Sequence, residues 1–228
     1  MKYVAFLSIV LIGSVANAQD KVFVVNPGQR VSDVVPKREI YAYPSFEQGA
    51  VYFADGSVSN ALMNYNALYG EIQFINPKGD TLSLADEEKI KLLTINNDSF
   101  YFDHGFMQLL SNSGNIKLLR RNVIRQSSSS KIGLYDQSVD GGAASSYSSI
   151  SSGAHDADLV LNQKATLTRQ TFYLFGDGKG HLLSASRKSA EKLYPSKKAV
   201  IADYLSKNNI DFKNEADLKN MVAYLQSH

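Results

Sequence analysis

The sequence contains no cysteine and no tryptophan. Without cysteine sulfur the chain can form no disulfide bond, thiolate zinc site, iron–sulfur cluster or cysteine nucleophile. The formal net charge is only +2 at pH 7, and both signs are mixed along the chain, so the charge pattern predicts no binding to nucleic acid or to an anionic membrane. What remains is a chain of 228 residues, 44% of them apolar, which is enough for one or two domains whose core is held by ordinary packing.

The first eighteen residues have the pattern of a signal peptide. Lys2 supplies a short positive region, residues 4–15 form an apolar run, and Ala16-Asn17-Ala18 is a small-x-small cleavage site. The apolar run is too short for a membrane anchor, which needs about twenty residues. We therefore expect cleavage between Ala18 and Gln19 and export of the mature chain. The periplasm is the favoured location, with an outer-membrane-associated or extracellular location as alternatives, and no later segment predicts a transmembrane helix.

Alternation of polar and apolar residues, interrupted by turn clusters, dominates residues 39–125. Asp55-Gly56 suits a tight hairpin turn, and residues 76–80 and 96–98 are rich in turn-forming side chains. This pattern predicts an antiparallel β-meander of about six to eight strands. We assign residues 19–126 to this sheet region, which periodicity leaves either as an open sheet or as a partial barrel.

Residues 127–153 are dominated by serine and glycine. They contain too little apolar area to offset the entropy lost when a chain is ordered. We expect a long flexible loop here, either functional or simply disordered.

The remaining part of the mature chain, residues 154–228, combines a hairpin with helices. A strand over residues 170–175 is predicted to fold through a glycine-rich turn at residues 176–180 onto residues 181–183. This glycine stretch precedes a strand, not a helix, so we do not expect it to bind phosphate. Strands followed by helices predict an α+β fold, with the helices on one side of the sheet in the same domain.

Two to three short helices are expected at the C-terminal end. Ser186 is a candidate N-cap for a helix that ends before Pro195, and Ser196 is a candidate for the next. Asn214 is a candidate N-cap for the last helix. That helix carries one apolar face, at helical spacing, made of Leu218, Met221, Val222 and Leu225.

Catalytic and metal-binding patterns are weak. None of the four histidines, His104, His155, His181 and His228, has a metal-ligand spacing. His155-Asp156-x-Asp158 groups three donors within a flexible segment that would hold them poorly, and we expect His104 to close a turn and His181 to be half-buried in a strand. The chain has no Gly-x-Ser-x-Gly nucleophile motif. We predict a protein that is not an enzyme and that has no catalytic, metal or cofactor-binding residues.

Basic residues are densest over residues 117–125. On a strand, Arg121 and Arg125 would point to one face and Arg120 to the other. These three arginines are our candidate contacts for a partner or an anion, such as an anionic glycan or a lipopolysaccharide phosphate. The interpretation we favour is that they protect an exposed edge strand from aberrant pairing.

One set of strand, turn and helix residues extends over most of the mature chain. It consists of Gly49-x-Val51-x-Phe53-x-Asp55-Gly56, Asn64-Tyr65-Asn66, Gly70-Glu71-x-x-Phe74, Asp80-Thr81-Leu82, Asp98-x-Phe100, Asp211-Phe212 and Asp217-Leu218. In these residues the chain resembles an uncharacterised family of small secreted proteins from Bacteroidota. The resemblance implies export to the periplasm of a didermic bacterium. It implies no activity and assigns no site residue.

Three functions remain open at this point. The leading hypothesis is an exported, non-enzymatic cell-envelope protein that binds or scaffolds another envelope component, either a protein or a glycan. The alternative is a carrier of a small ligand or lipid with a β-lined cavity. A hydrolase whose site forms around residues 127–153 is the least favoured of the three.

Overall fold

The computed structural model describes residues 21–128, 160–161 and 163–228. Within them the chain forms one antiparallel sheet, with two short helices after the first strand and three helices after the last. The strands are β1 (Lys21–Val25), β2 (Glu47–Phe53), β3 (Val58–Asn66), β4 (Glu71–Ile75), β5 (Thr81–Ser83), β6 (Ile90–Ile95), β7 (Asp98–Phe102), β8 (Phe106–Ser113), β9 (Ile116–Ser128), β10 (Ala165–Gly176) and β11 (Leu182–Ser184). The helices are α1 (Val31–Val34), α2 (Lys37–Ile40), α3 (Arg187–Leu193), α4 (Lys198–Lys207) and α5 (Glu215–Ser227). The fold is therefore α+β, as predicted.

Ten of the eleven strands of the described residues follow the order β1-β10-β9-β8-β7-β6-β2-β3-β4-β5, and β11 pairs with β10 outside this order. The sheet is open, with β1 and β5 at the ends of this order. Nine of the eleven strands begin within residues 21–126, the described part of the predicted sheet region, so the predicted six to eight is too few. The strand outside the predicted pattern is β1, which pairs with β10 far along the chain. Because the partner of this five-residue strand lies so far along the chain, no hairpin turn next to β1 indicates the pairing.

Local turn chemistry shapes the hairpins. Gly56 has a φ of +89°, which glycine adopts without steric cost. The Asp55 carboxylate accepts hydrogen bonds from both the backbone N–H and the hydroxyl of Ser57, at 2.8 and 2.7 Å. The predicted turn between β2 and β3 is therefore confirmed. The predicted hairpin of β10 and β11 is also confirmed, since Phe175 pairs with Leu183.

One face of the sheet, which we call the inner face, carries the buried core. It is marked by Val51, Leu93, Phe100, Leu118 and Phe175, all of which are buried. Pairing across the strands places Val51 opposite Leu93 and Leu93 opposite Phe100. The opposite, outer face carries residues that alternate with these along each strand.

Two separate apolar clusters cover the inner face. The first joins strands β1–β4 and β6–β10 with the N-terminal helices, through residues such as Val31 and Val35. The second joins β9 and β10 to the C-terminal helices, through residues such as Leu118 and Phe175. The predicted apolar face of α5 belongs to this second cluster, since Leu218, Met221, Val222 and Leu225 are fully buried.

The sheet curls over its inner face. Four strands separate β3 from β9 in the sheet order, yet the carbonyl of Ala67, just after β3, accepts a 2.7 Å hydrogen bond from the N–H of Ile124 in β9. Tyr65 in β3 makes a second link, because its hydroxyl donates to the backbone carbonyl of Asn122 at 2.5 Å. The middle of β9 is thereby enclosed by residues from the other half of the sheet.

Two of the three predicted helix N-caps are confirmed. The Ser186 hydroxyl accepts from the N–H of Ser189 at the start of α3, and the Asn214 side chain accepts from two N–H groups at the start of α5. Ser196 is not the cap of α4. It lies inside a 3₁₀ turn, Pro195–Lys197, and α4 begins without a side-chain cap. Proline at the start of this turn suits helical φ angles, so the chain begins to wind before Ser196.

Several predictions fall partly or wholly outside the described residues. These are the signal peptide with Ala18 and Gln19, the loop at residues 127–153 beyond Ser128, and the group His155-Asp156-x-Asp158. The backbone of β9 continues to Ser128 and so includes the first two residues of the predicted loop. Of the helices that the structure describes, none has both the length and the apolar character needed to span a membrane.

Candidate functional site

A pocket of about 300 Å³ opens on the inner face, next to both apolar clusters. Its walls come from β3, β7, β8, β9 and β10 and from the segment that precedes β2. Nine residues line it: Ala42, Tyr65, Phe100, Gln108, Arg120, Asn122, Arg169, Thr171 and Tyr173. Five of these carry amide, hydroxyl or guanidinium groups without an aromatic ring, on a face that is elsewhere mostly apolar.

Strand register explains why these side chains meet. Phe100, Gln108, Arg120 and Tyr173 are directly opposite one another across β7, β8, β9 and β10. The next inner-face row pairs Asn122 with Thr171, whose hydroxyl donates to the Asn122 side-chain oxygen at 2.8 Å. Since alternate residues of a strand point to the same face, both rows face the pocket.

Arg120 is held in place by α5 and β8. Its Nη1 donates to Glu215 at 2.7 Å and its Nη2 donates to the side-chain oxygen of Gln108 at 2.5 Å. Burial raises the pKa of the Glu215 carboxyl, but the hydrogen bond from Lys219 and the charge of Arg120 outweigh it, so the pKa lies below its ordinary value. Glu215 therefore stays ionised and fixes the guanidinium at the pocket wall.

Arg169 is held by a second carboxylate, at the other end of the pocket. Its Nη1 donates to Glu39 at 3.2 Å, and Lys21 donates to the same carboxylate at 2.6 Å. The hydrogen bond from Lys21 keeps the pKa of Glu39 below its ordinary value in spite of burial, and the charges of Arg169 and Arg38 act in the same direction. Glu39 is itself almost completely buried, with 4% of the residue exposed.

Aromatic rings form the remaining walls. The rings of Tyr65 and Phe100 stack, with their centroids 6.1 Å apart. Burial raises the pKa of Tyr65 to about 12, and burial followed by the charge of Glu215 raises the pKa of Tyr173. Both phenols are therefore neutral at physiological pH and present ring surface and a hydroxyl, not a negative charge.

The structure separates the three arginines singled out in the sequence. Arg120 faces the pocket, whereas Arg121 and Arg125 lie on the outer face, as alternation along the strand predicts. Arg121 donates to the carbonyl of His104 at 2.8 Å, and the Arg125 guanidinium lies 5.1 Å from the centroid of the Phe172 ring. The three side chains therefore do not form one anion site.

The interpretation of these arginines as edge-strand protection is wrong for Arg120, where β9 is paired with β8 on one side and with β10 on the other. Beyond Arg120, β9 pairs with β10 alone among the described strands, and the N–H of Ile124 on its other side donates to the carbonyl of Ala67. The partner β10 follows a long segment of chain, so hydrophobic periodicity could not reveal that β9 has a neighbour on its second side.

The histidines of the described residues do not contribute to the pocket. His104 lies in the turn between β7 and β8 with a φ of +50°, which confirms the predicted turn. His181 is exposed, not half-buried in a strand as expected, because it precedes β11 and pairs with Asp177 at 2.7 Å. Among the residues that the structure describes, no group of three or more His, Asp or Glu side chains could hold a metal ion.

Sequence reasoning missed most of the pocket. Arg169, Thr171 and Tyr173 are polar residues at alternate positions of β10, between Leu167 and Phe175, which are fully buried on the same face. The sequence therefore does contain a signal for the pocket: three side chains with polar groups interrupt a row of apolar residues. It becomes visible only when β10 is recognised as starting at Ala165, five residues before the predicted strand.

Comparisons with family models, with curated proteins and with solved structures find no match to this chain. The resemblance to secreted Bacteroidota proteins therefore stays a prediction. Since no relative supplies a function, the pocket and its charges are the basis on which one can be inferred.

Proposed function

We propose that this chain is an exported, non-enzymatic cell-envelope protein that binds an envelope component through the inner-face pocket. The observation that carries the proposal is the row of hydrogen-bonding side chains in the middle of a buried sheet face. Polar groups placed there cost stability, because the same positions could hold core residues. Binding of a ligand is the role that such a pocket commonly serves.

Size and lining favour a small polar ligand over a lipid, the other cargo considered for a carrier. Ligand pockets range from about 300 to 1,000 Å³, and this one is at the lower limit. Acyl chains gain binding energy from apolar walls, whereas Gln108, Asn122 and Thr171 offer hydrogen bonds. A monosaccharide-sized molecule, or the end of a larger glycan, suits this lining.

The nature of the lining also supports binding without catalysis. Among the described residues that line the pocket, none is a histidine, a carboxylate or a serine, which are the groups that most often transfer protons or attack a substrate. The carboxylates nearest to the arginines, Glu39 and Glu215, are each engaged by a cationic side chain.

Filling the pocket is expected to abolish ligand binding. Ala42 is exposed at the pocket wall, so Ala42→Trp introduces bulk without removing a side-chain contact. We expect saturation-transfer NMR with a panel of neutral sugars, sugar acids, amino acids and nucleotides to identify ligands of the wild-type protein. Their affinity should fall at least tenfold in Ala42→Trp.

The matched control is Ala202→Trp, which adds the same side chain on the exposed side of α4. It should leave every affinity unchanged. A panel without any ligand, or ligands that bind equally well to Ala42→Trp, would contradict a binding role for this pocket.

Export is tested separately from binding. Intact mass spectrometry of the protein from a periplasmic fraction should give a chain that begins at Gln19. Ala18→Phe places a large side chain at the predicted cleavage site and is expected to leave the first eighteen residues attached. An uncleaved wild-type chain in the cytoplasmic fraction would contradict the proposal of export.

A further inference from the structure

The two arginines of the pocket are at opposite ends of one stretch of β9 and β10. Arg120 is opposite Tyr173, and Arg169 is opposite Ile124, with the pair of Asn122 and Thr171 between them. Arg169 is four positions before Tyr173 on β10, which corresponds to about 13 Å along the strand. A ligand that occupies the pocket therefore lies over the central pair, with a guanidinium group at each end.

Both guanidinium groups retain hydrogen-bonding capacity. Each carries five N–H donors. Arg120 uses two of its nitrogens on Glu215 and Gln108, and Arg169 uses one on Glu39. The Nε atoms of both arginines are buried and have no partner within the described part of the chain, and the same holds for Arg121 on the outer face. The side chains of Arg120 and Arg169 are 29% and 28% exposed, so the donors that a ligand can reach are those on the Nη atoms. Such donors match the oxygens of a carboxylate or phosphate, which guanidinium groups bind with charge-assisted hydrogen bonds.

Cationic side chains outnumber the carboxylates around the pocket. Glu39 contacts three of them, and Glu215 contacts two. These five side chains are Lys21, Arg38, Arg169, Arg120 and Lys219. Asp98 accepts a hydrogen bond from the Tyr43 hydroxyl, on which the charges of Arg120 and Glu47 also act. With Asp98 and Glu47 included, five cationic side chains still outnumber four carboxylates. An excess of positive charge in a recessed site attracts anions.

We infer that the ligand of this pocket is a small hydroxylated anion, such as an acidic sugar or a sugar phosphate, whose charged group is bound by Arg120 or Arg169. This inference rests on the proposed binding function and adds the chemical class of the ligand. The hydroxyl groups of the ligand are bound by the amides of Gln108 and Asn122 and by the Thr171 hydroxyl. The rings of Tyr65, Phe100 and Tyr173 pack against its carbon skeleton.

Isothermal titration calorimetry with three probes tests this inference. The probes are glucuronate, glucose 1-phosphate and uncharged glucose. We expect at least one of the two anions to bind at least tenfold more tightly than glucose, and the one that binds better identifies carboxylate or phosphate as the preferred group. Raising the salt concentration should weaken anion binding but not glucose binding.

Substitution of the arginines provides the second readout. At least one of Arg120→Gln and Arg169→Gln is expected to lower anion affinity at least tenfold and to lower glucose affinity by a much smaller factor. Both carboxylates keep a cationic partner in these variants, Lys219 for Glu215 and Lys21 for Glu39, so the fold should be retained. Arg121→Gln is the control, since it removes the same charge from the outer face of the same strand.

The remaining outcomes distinguish failure of the anionic-ligand inference from failure of the proposed binding function. Glucose that binds as tightly as both anions, or anion affinities unchanged in both pocket variants, overturns the anionic ligand but leaves the pocket as a binding site. If none of the three probes binds, the anionic-ligand inference is overturned as well. The screen with Ala42→Trp then reports independently whether the pocket binds other small molecules.

Discussion

Phe175→Ala is expected to lower the free energy of unfolding by about 3–5 kcal/mol. Phe175 is fully buried on the inner face of β10, where its ring makes edge contacts with Tyr194 and Phe212, at centroid distances of 6.2 and 6.5 Å. Truncation leaves a cavity at the point where the C-terminal helices meet the sheet. Urea denaturation followed by circular dichroism measures the loss.

The control for this prediction is on the same strand. Phe172 is on the outer face, with 39% of the residue exposed, and its ring contacts the Arg125 guanidinium. Phe172→Ala should cost only about 1 kcal/mol, because it removes a partly solvated ring and one cation–π contact. Equal losses in the two variants would mean that the C-terminal helices do not depend on the inner face of β10.

The elements that the sequence predicted well are those specified by nearby residues. Ser186 and Asn214 cap helices through hydrogen bonds to N–H groups two or three positions ahead. The buried face of α5 follows from its 3.6-residue period alone. Short hairpins such as that of β2 and β3 follow from turn-forming residues such as Asp55 and Gly56, which lie among the four residues between these strands. In each case the information lies within a few positions of the chain.

Strand order depends on partners that no local pattern identifies. β10 pairs with β1 and with β9, and both partners are far from it in the sequence. Alternation along β9 correctly predicted that Arg120 points to one face of the sheet and that Arg121 and Arg125 point to the other. It could not show that a second strand pairs with β9 as far as Arg120, and this is why the edge-strand interpretation failed for Arg120.

The pocket is even less accessible to sequence reasoning. It requires the register of four consecutive strands, from Phe100 in β7 to Tyr173 in β10, and the curl that brings Tyr65 to Asn122. A shift of one residue in any of these pairings would turn its side chains to the outer face. Only one of the three candidate arginines therefore lies at the site, and Arg169 was not a candidate.

Glu39→Gln is expected to destabilise the protein by about 2–3 kcal/mol at neutral pH. The buried carboxylate contacts Lys21, Arg38 and Arg169, and these contacts connect α2 to β1 and β10. An amide has no charge to balance these three cations, and one of its two polar atoms is a donor that faces other donors. The expected loss is moderated because Lys21 and Arg38 remain largely exposed to water. Glu191→Gln, which removes the exposed ion pair with Arg187 on α3, should cost about 0.5 kcal/mol or less.

The dependence of this effect on pH identifies its electrostatic origin. The folded protein holds the pKa of Glu39 below 4.5, its ordinary value. A carboxyl whose pKa is lowered on folding contributes stability that is fully present above the unfolded pKa and is lost as the pH falls through the folded pKa. The difference in unfolding free energy between wild type and Glu39→Gln should therefore be constant near neutral pH and shrink as the pH falls below 4.5. A difference that stays the same down to about pH 3 would show instead that Glu39 stabilises the fold by packing, because protonation makes its carboxyl as neutral as the amide.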